Sequence, residues 1–372
     1  MVYSLPNEYK STLVYYLVVI FGSVFFAAMA QISKTNLIFY SNLILSFLFL
    51  FFTLGFRNFT GIDDSSYIRI FNEVSHYGWF SRFIETTMEP GFLILNSVVA
   101  LFTDNYMYMQ VVSSFIPLFI FYLAFIKYRN IIDISMAVFL LCTVLYFQFL
   151  SVGLIRMSIA ISIVFFAYYY IPKGRPYKYI ILIFIASLFH YSALLMLPLT
   201  YFAINKEKLQ KKAKKYVLLS FFVLPLLFIV IASVVVPIMG SRYQTYGSIG
   251  EATFSLSSFN TIPIIILLLF FLNKFSDESK RSFKFFLIIF TFSFIISFYS
   301  GIVSFGRTVF YTYTGFFLAA AMVNKELNFN FEKVIYSFII ILYGYVYIYW
   351  TQFTLTEHIP NLFPYQNLFF TI

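Results

Sequence analysis

The sequence predicts an all-α polytopic integral membrane protein, and three observations carry that expectation. Of 372 residues, 61% are hydrophobic and only 11% are charged. Apolar runs recur from end to end, many near the roughly 20 helical residues needed to cross a hydrocarbon core of about 30 Å. The runs are continuous rather than alternating, which argues against a transmembrane barrel. Backbone amides in lipid must be satisfied within the segment, so helices are the expected form. A soluble fold of this composition would leave too much apolar surface uncovered.

Ten full spans are expected, near 11–30, 36–55, 106–126, 132–150, 155–171, 216–238, 259–273, 284–301, 307–323 and 334–351. The first run lacks a basic leader and a small-residue cleavage site, so it reads as a retained span. Basic loops around Lys34, Lys127–Arg129, Lys173–Lys178, Lys206–Lys215, Lys274–Lys284 and Lys325–Lys333 mark the cytoplasmic face, because short translocated loops avoid Lys and Arg. The Lys206–Lys215 block reads as an anchor beside anionic lipid. Both termini then face outward. Residues 90–103 are short, open on Pro90-Gly91 and have both ends outside, which predicts a re-entrant or tilted half-helix. Residues 179–203 are flanked by two basic loops and are too short for two full crossings at about 1.5 Å per residue. They predict a broken helical hairpin whose break falls at Phe189-His190-Tyr191-Ser192, with His190 in the outer half; a pair of thin, strongly tilted spans is the alternative. The whole of 1–372 is expected to be a single transmembrane domain, with 56–105 as its outer catalytic loop. The single cysteine, Cys142, cannot form an internal disulfide. No internal repeat is evident, and no nucleic-acid partner is expected.

One stretch departs from this apolar background. Between Asp63 and Asp104 lie six of the fifteen acidic residues, together with Arg57, Gly61 and Glu89-Pro90-Gly91-Phe92. The basic residues are also divided by side. Apart from Lys10, those expected outside are all arginines: Arg57, Arg69, Arg82, Arg156, Arg242 and Arg307. Guanidinium binds phosphate bidentately and desolvates more readily than ammonium, so this division points to an anionic ligand such as a lipid-linked pyrophosphate. Outer arginines can also simply snorkel to headgroups. Arg156 and Arg307 differ from that pattern, since each sits in a tight turn between two apolar runs, where an ionisable group reads as functional.

Read in order, the motifs are Phe56-Arg57, Gly61-x-Asp63, Tyr67, Glu89-Pro90-Gly91-Phe92 with Leu95-Asn96, Arg156 ahead of Ser158-Ile159-Ala160-Ile161-Ser162, Ala186-Ser187-Leu188-Phe189-His190-Tyr191-Ser192-Ala193, Arg307 and Pro364-Tyr365. This series resembles the EpsG branch of Wzy-type bacterial polysaccharide polymerases, over nearly the whole chain. One departure is Met157, where a polar residue such as Gln is expected. The resemblance implies a multi-pass inner-membrane glycosyltransferase whose active site faces the extracytoplasmic side. It would join repeat units carried on undecaprenyl pyrophosphate into capsule, exopolysaccharide or O-antigen, with no cofactor and no metal. The implied partners are the lipid-linked repeat unit, the growing glycan and membrane lipids, with a chain-length regulator and a flippase of the same pathway beside them.

Displacement at an anomeric carbon needs fixed positive donors at the leaving group and a base within hydrogen-bond reach of the attacking hydroxyl. Arg156 and Arg307 are the candidates for the pyrophosphate, with Arg57 and Arg242 assisting. Asp63, Glu89 and His190 are the candidates for the base, and Asp64 could substitute for Asp63. Glu89 could instead cap the helix that Pro90 opens. Tyr67 and Tyr191 are candidate substrate contacts. Asp63-Asp64 also raises a divalent cation, but no second acidic cluster stands at suitable spacing. Three other classes share features: a lipid-linked oligosaccharide flippase, which also uses broken helices and buried charge, a glycan ligase with nearly the same chemistry, and a membrane acyltransferase.

Overall fold

The computed structural model describes residues 7–58, 61, 63–86, 88–205, 256–299, 306–348 and 365–369. The expected span 216–238, the Lys206–Lys215 block, Arg242, Pro364 and residues 300–305 lie outside the described residues. Among the described residues every regular element is helical. The order is α1 (Asn7–Ile32), α2 (Asn36–Gly55), α3 (Asp64–Tyr77), α4 (Trp79–Thr86), α5 (Pro90–Ala100), α6 (Tyr106–Tyr128), α7 (Ile134–Leu140), α8 (Phe147–Val152), α9 (Ile155–Ala167), α10 (Pro176–Ser187), α11 (Thr200–Ile204), α12 (Ile262–Phe270), α13 (Asp277–Phe298), α14 (Val309–Glu326) and α15 (Phe331–Ile348).

Among the described residues, four helices are long and apolar enough to cross a membrane: α1 from Lys10, α2, α6 and α13 from Ser279. Shorter apolar helices accompany them, among them Pro90–Ala100, Ile134–Leu150, Ile155–Tyr170 and Pro176–Ser187. The chain is therefore a helical membrane protein. Some expected spans come out short because their winding changes part-way. A π-helical stretch, Leu141–Tyr146, joins α7 to α8, and a 3₁₀ turn, Tyr168–Tyr170, ends the run that begins with α9. Large apolar side chains such as Phe21, Ile44, Phe119, Phe338 and Leu342 stand exposed on the long helices, as a lipid-facing surface requires.

Buried hydroxyls bind the helices together. Ser46 Oγ donates to Ser23 O at 2.7 Å and lies 2.7 Å from the Tyr122 hydroxyl, tying α1, α2 and α6. Short polar side chains of this kind let backbones approach and bond across helices in lipid. Tyr146 in the π-helical stretch donates to Leu50 O of α2 at 2.7 Å. At the opposite end of these helices, Asp133 caps α7 and accepts from Asn324 of α14 at 3.0 Å.

The remaining elements position the polar stretch. Helices α3, α4 and α5 form a small subassembly with a core of Tyr67, Phe71, Val74, Met88 and Phe92, which Met109 of α6 completes. The chain segment 365–369 returns to the end of α2. Asn58 N–H donates to Gln366 O at 2.9 Å and Leu368 N–H to Phe56 O at 3.0 Å, forming the isolated bridge Arg57–Asn367. Tyr365 is fully buried and donates its hydroxyl to Thr53 O at 2.7 Å.

Candidate active site

Arg57 follows the C-terminus of α2, where carbonyls lack intrahelical partners. Its guanidinium turns inward, donating to Leu54 O at 2.8 Å and Ser114 Oγ at 3.2 Å and pairing with Asp64 at 3.2 Å. Both side chains are essentially inaccessible, at 1% and 2% exposure. Gln110 of α6 donates to Arg57 O at 2.6 Å, and Asp64 accepts the Gly61 N–H at 2.9 Å. Arg57 and Asp64 thus form a latch that fixes the turn carrying Asp63.

Asp63, next to the latch, faces the other way. Its carboxylate lies 3.8 Å from Arg307 on the 3₁₀ turn Gly306–Thr308, and both remain partly open to solvent, at 35% and 55% exposure. The adjacent carboxylates Asp63 and Asp64 therefore serve different guanidinium groups from distant parts of the chain. Among the described residues no group of three His, Cys, Asp or Glu side chains converges.

Arg156 enters from the start of α9. Gly153, with φ +71°, ends α8 in the left-handed region, and a Cβ there would come within 3.0 Å of Asp64 Oδ1. The reversal therefore packs directly on the Gly61–Asp64 turn and points Arg156 towards Glu89. Their atoms Nη1 and Oε2 lie 2.5 Å apart, with Glu89 wholly buried. The guanidinium stands 5.9 Å from the centroids of both Tyr67 and Phe92, and these rings meet edge to face at 5.5 Å. Met157 is buried in the core, so the orientation of Arg156 comes from Glu89 and the two rings rather than from its sequence neighbour. Burial pushes the Tyr67 phenol up from its ordinary pKa; the charge of Arg156 pulls it down, while Asp63 and Glu89 add to the rise. Tyr67 stays neutral near pH 7 and lies within electrostatic reach of both ion pairs.

His190 arrives by the break between α10 and the 3₁₀ helix Tyr191–Leu199. Gly91 N–H donates to Leu188 O at 2.8 Å. A Cβ on Gly91 would lie 2.8 Å from both that oxygen and Leu188 Cβ. Only glycine lets the start of α5 approach this closely, and so the Glu89-Pro90-Gly91 and Phe189-His190-Tyr191 motifs meet. His190 Nδ1 accepts the Ser192 N–H at 3.3 Å and lies 2.6 Å from Ser192 Oγ, which is 3.0 Å from the Tyr311 hydroxyl. A lone pair engaged at Nδ1 puts the proton of the neutral ring on Nε2. Tyr191 and Tyr311 both lie close enough to feel the Glu89 charge.

Of the residues expected from sequence, Asp63 with Arg307, Arg156 with Glu89 and Tyr67, and Arg57 with Asp64 are brought together. His190 and Tyr191 adjoin through the Gly91–Leu188 contact. Arg242 falls outside the described residues. Sequence reasoning missed Tyr311 and Gln110. Tyr311 stands about one helical turn beyond Arg307, a spacing that could have drawn attention to it; a buried glutamine bonding a helix end carries no local signal.

A protein-family model described as EpsG family matches residues 40–367. That range contains every residue just placed. No curated protein and no solved structure matches the chain.

Proposed function

The chain belongs to the EpsG family, and from that premise we propose that it is a membrane glycosyltransferase that polymerises lipid-diphosphate-linked oligosaccharide repeat units on the outer face of the cytoplasmic membrane. The family is associated with polysaccharide polymerase activity. The observation that carries the reading is the pairing of two guanidinium groups with two carboxylates from four separated segments, Asp63 with Arg307 and Glu89 with Arg156. The topology that goes with it has about ten crossings, with the polar stretch outside. The lipid carrier would be undecaprenyl diphosphate and the product a capsule, exopolysaccharide or O-antigen chain.

In this reading the bond from the anomeric carbon to the diphosphate breaks, and a bond forms to a hydroxyl of the acceptor unit. The diphosphate leaves with the electron pair. Arg307 and Arg156 bear the growing negative charge, as fixed donors in a poorly solvated site do best. Asp63 takes the proton of the attacking hydroxyl. It is the most accessible carboxylate of the cluster, and its pairing with Arg307 is loose at 3.8 Å. Glu89 is wholly buried against Arg156 and serves to orient it. Neutral His190, with Nδ1 engaged by Ser192, acts as a hydrogen-bond donor through Nε2 rather than as the base. Arg57 and Asp64 are positioning groups. Tyr67 and Tyr191 would contact sugar.

Purified protein in liposomes, supplied with lipid-diphosphate-linked repeat units, tests this. The expected result is a ladder of lengthening glycan with release of lipid diphosphate. Movement of the lipid across the bilayer with no new glycosidic bond would overturn it in favour of a flippase. Transfer of finished glycan to a different acceptor would overturn it in favour of a ligase.

A further inference from the structure

Helix α4 carries large apolar side chains on both of its sides. Trp79 and Phe83 pack against the core of the α3–α5 subassembly. Phe80 and Ile84, four residues apart and so on one face, point outward at 59% and 64% exposure. Arg82 turns back to the protein: its guanidinium lies 2.8 Å from Glu73 of α3 and is only 18% exposed. A helix facing water shows the opposite pattern, with its charges outward. The turn after α5 repeats the anomaly, exposing Leu101 at 80% and Phe102 at 83%. This turn is held in place. The N–H groups of Phe102 and Thr103 both donate to Val99 O, at 3.0 and 3.3 Å. Ser75 Oγ donates to Asp104 Oδ1 at 3.2 Å, which ties the turn to the end of α3 that leads into α4.

We propose that Phe80, Ile84, Leu101 and Phe102 seat the α3–α5 subassembly in the interfacial layer of the bilayer, so that lipid covers them. Continuity with the lipid-facing surface identifies the occupant. Phe102 stands one helical turn ahead of α6, which crosses the membrane and carries an exposed stripe of Tyr108, Phe115, Phe119 and Leu123. The four outward side chains extend that stripe onto the subassembly. The depth follows from length. At 8 residues α4 is ~12 Å long at about 1.5 Å per residue, far too short to span, and a helix with such a face lies at the boundary of headgroups and acyl chains. The exposed residues Ser65, Ser66, Arg69, Asn72 and His76 of α3 are polar and suit the aqueous side. The docking has a consequence that rests on the polymerase reading. The core that Trp79 and Phe83 join also holds Tyr67 and Phe92, the two rings beside Arg156. Seating α4 therefore holds that guanidinium near the depth of the headgroup phosphates, where the diphosphate of a lipid carrier lies.

The test places a nitroxide at single exposed positions of the full chain in liposomes, in a Cys142→Ala background: Phe80→Cys, Phe102→Cys, Asn72→Cys on α3 and Phe119→Cys midway along α6. Relaxation of each label by oxygen, which concentrates in lipid, is compared with relaxation by an aqueous nickel chelate. At positions 80 and 102 oxygen is expected to exceed the chelate severalfold, at a depth shallower than at 119, while at 72 the chelate dominates. Chelate access at 80 and 102 equal to that at 72 would overturn the docking. So would protection from both reagents, because a second copy or another protein would then cover the face. A depth at 80 equal to that at 119 would overturn it too, since α4 would then be fully inserted. For the consequence, Phe80→Ser with Ile84→Ser should raise KM for the lipid-linked repeat unit severalfold and leave kcat within about twofold. A repeat unit on a short, water-soluble tail should be extended equally by variant and wild type. An unchanged KM for the full-length lipid would overturn the link to the substrate. If the wild type formed no glycosidic bond, the polymerase reading would fall, and the relaxation measurements would still decide the docking.

Discussion

Glu89 is the deepest charge of the candidate site, and its partner Arg156 covers it. Breaking a buried ion pair by removing one member strands the other, at a cost of about 3–5 kcal/mol. Glu89→Ala is therefore expected to lower thermal stability as well as abolish chain extension. Arg307→Ala should abolish extension with little effect on stability, since that pair is half open to solvent and such pairs contribute about 0–1 kcal/mol. Thermal unfolding in detergent beside an extension assay separates the two cases. Arg156→Lys should not support extension, because a point charge can reproduce neither the contact of the guanidinium with the Tyr67 and Phe92 rings nor bidentate phosphate binding. An Arg156→Lys variant with wild-type extension would remove the role assigned to that guanidinium.

At the scale of elements, the site depends on close approaches between segments. The start of α5 reaches the α10 break only because Gly91 has no side chain; Gly91→Ala would put a Cβ 2.8 Å from Leu188 O. Overpacking of this kind costs about 1–3 kcal/mol, and here it also separates Glu89 from the His190 segment. The expected result is loss of extension together with a lowered unfolding temperature; an unchanged variant would show that the two motifs need not touch. The returning segment at 365–369 acts in the same way on the other side. Tyr365→Phe removes the hydroxyl that donates to Thr53 O and accepts from Asn367. It should cost about 1 kcal/mol and weaken extension through Arg57, readable as a lower unfolding temperature with reduced rate.

Across the whole molecule, helical membrane character was legible from composition and run length, because a bilayer imposes both on the sequence. The residues of the candidate site were also legible as types: carboxylates, arginines and a glycine turn have little other reason to gather in so apolar a chain. What sequence could not supply was pairing. Asp63 and Asp64 are neighbours, yet one faces Arg307 and the other Arg57, a choice made by the turn and by packing on Gly153. The winding changes at Leu141–Tyr146 and Tyr191–Leu199 were likewise hidden, since π and 3₁₀ helices share the apolar composition of the α-helices they interrupt. The proposed orientation predicts that, in a Cys142→Ala background, Tyr77→Cys reacts with a membrane-impermeant thiol reagent added outside intact cells. Lys333→Cys should react only after permeabilisation; the reverse pattern would invert the topology. The most direct test of the account is a cryo-electron-microscopy map of the protein incubated with a lipid-diphosphate-linked repeat unit. Diphosphate density is predicted within hydrogen-bond distance of Arg156 and Arg307, with the first sugar beside Asp63 and Tyr67. Diphosphate held elsewhere, with these side chains still paired only to one another, would contradict it.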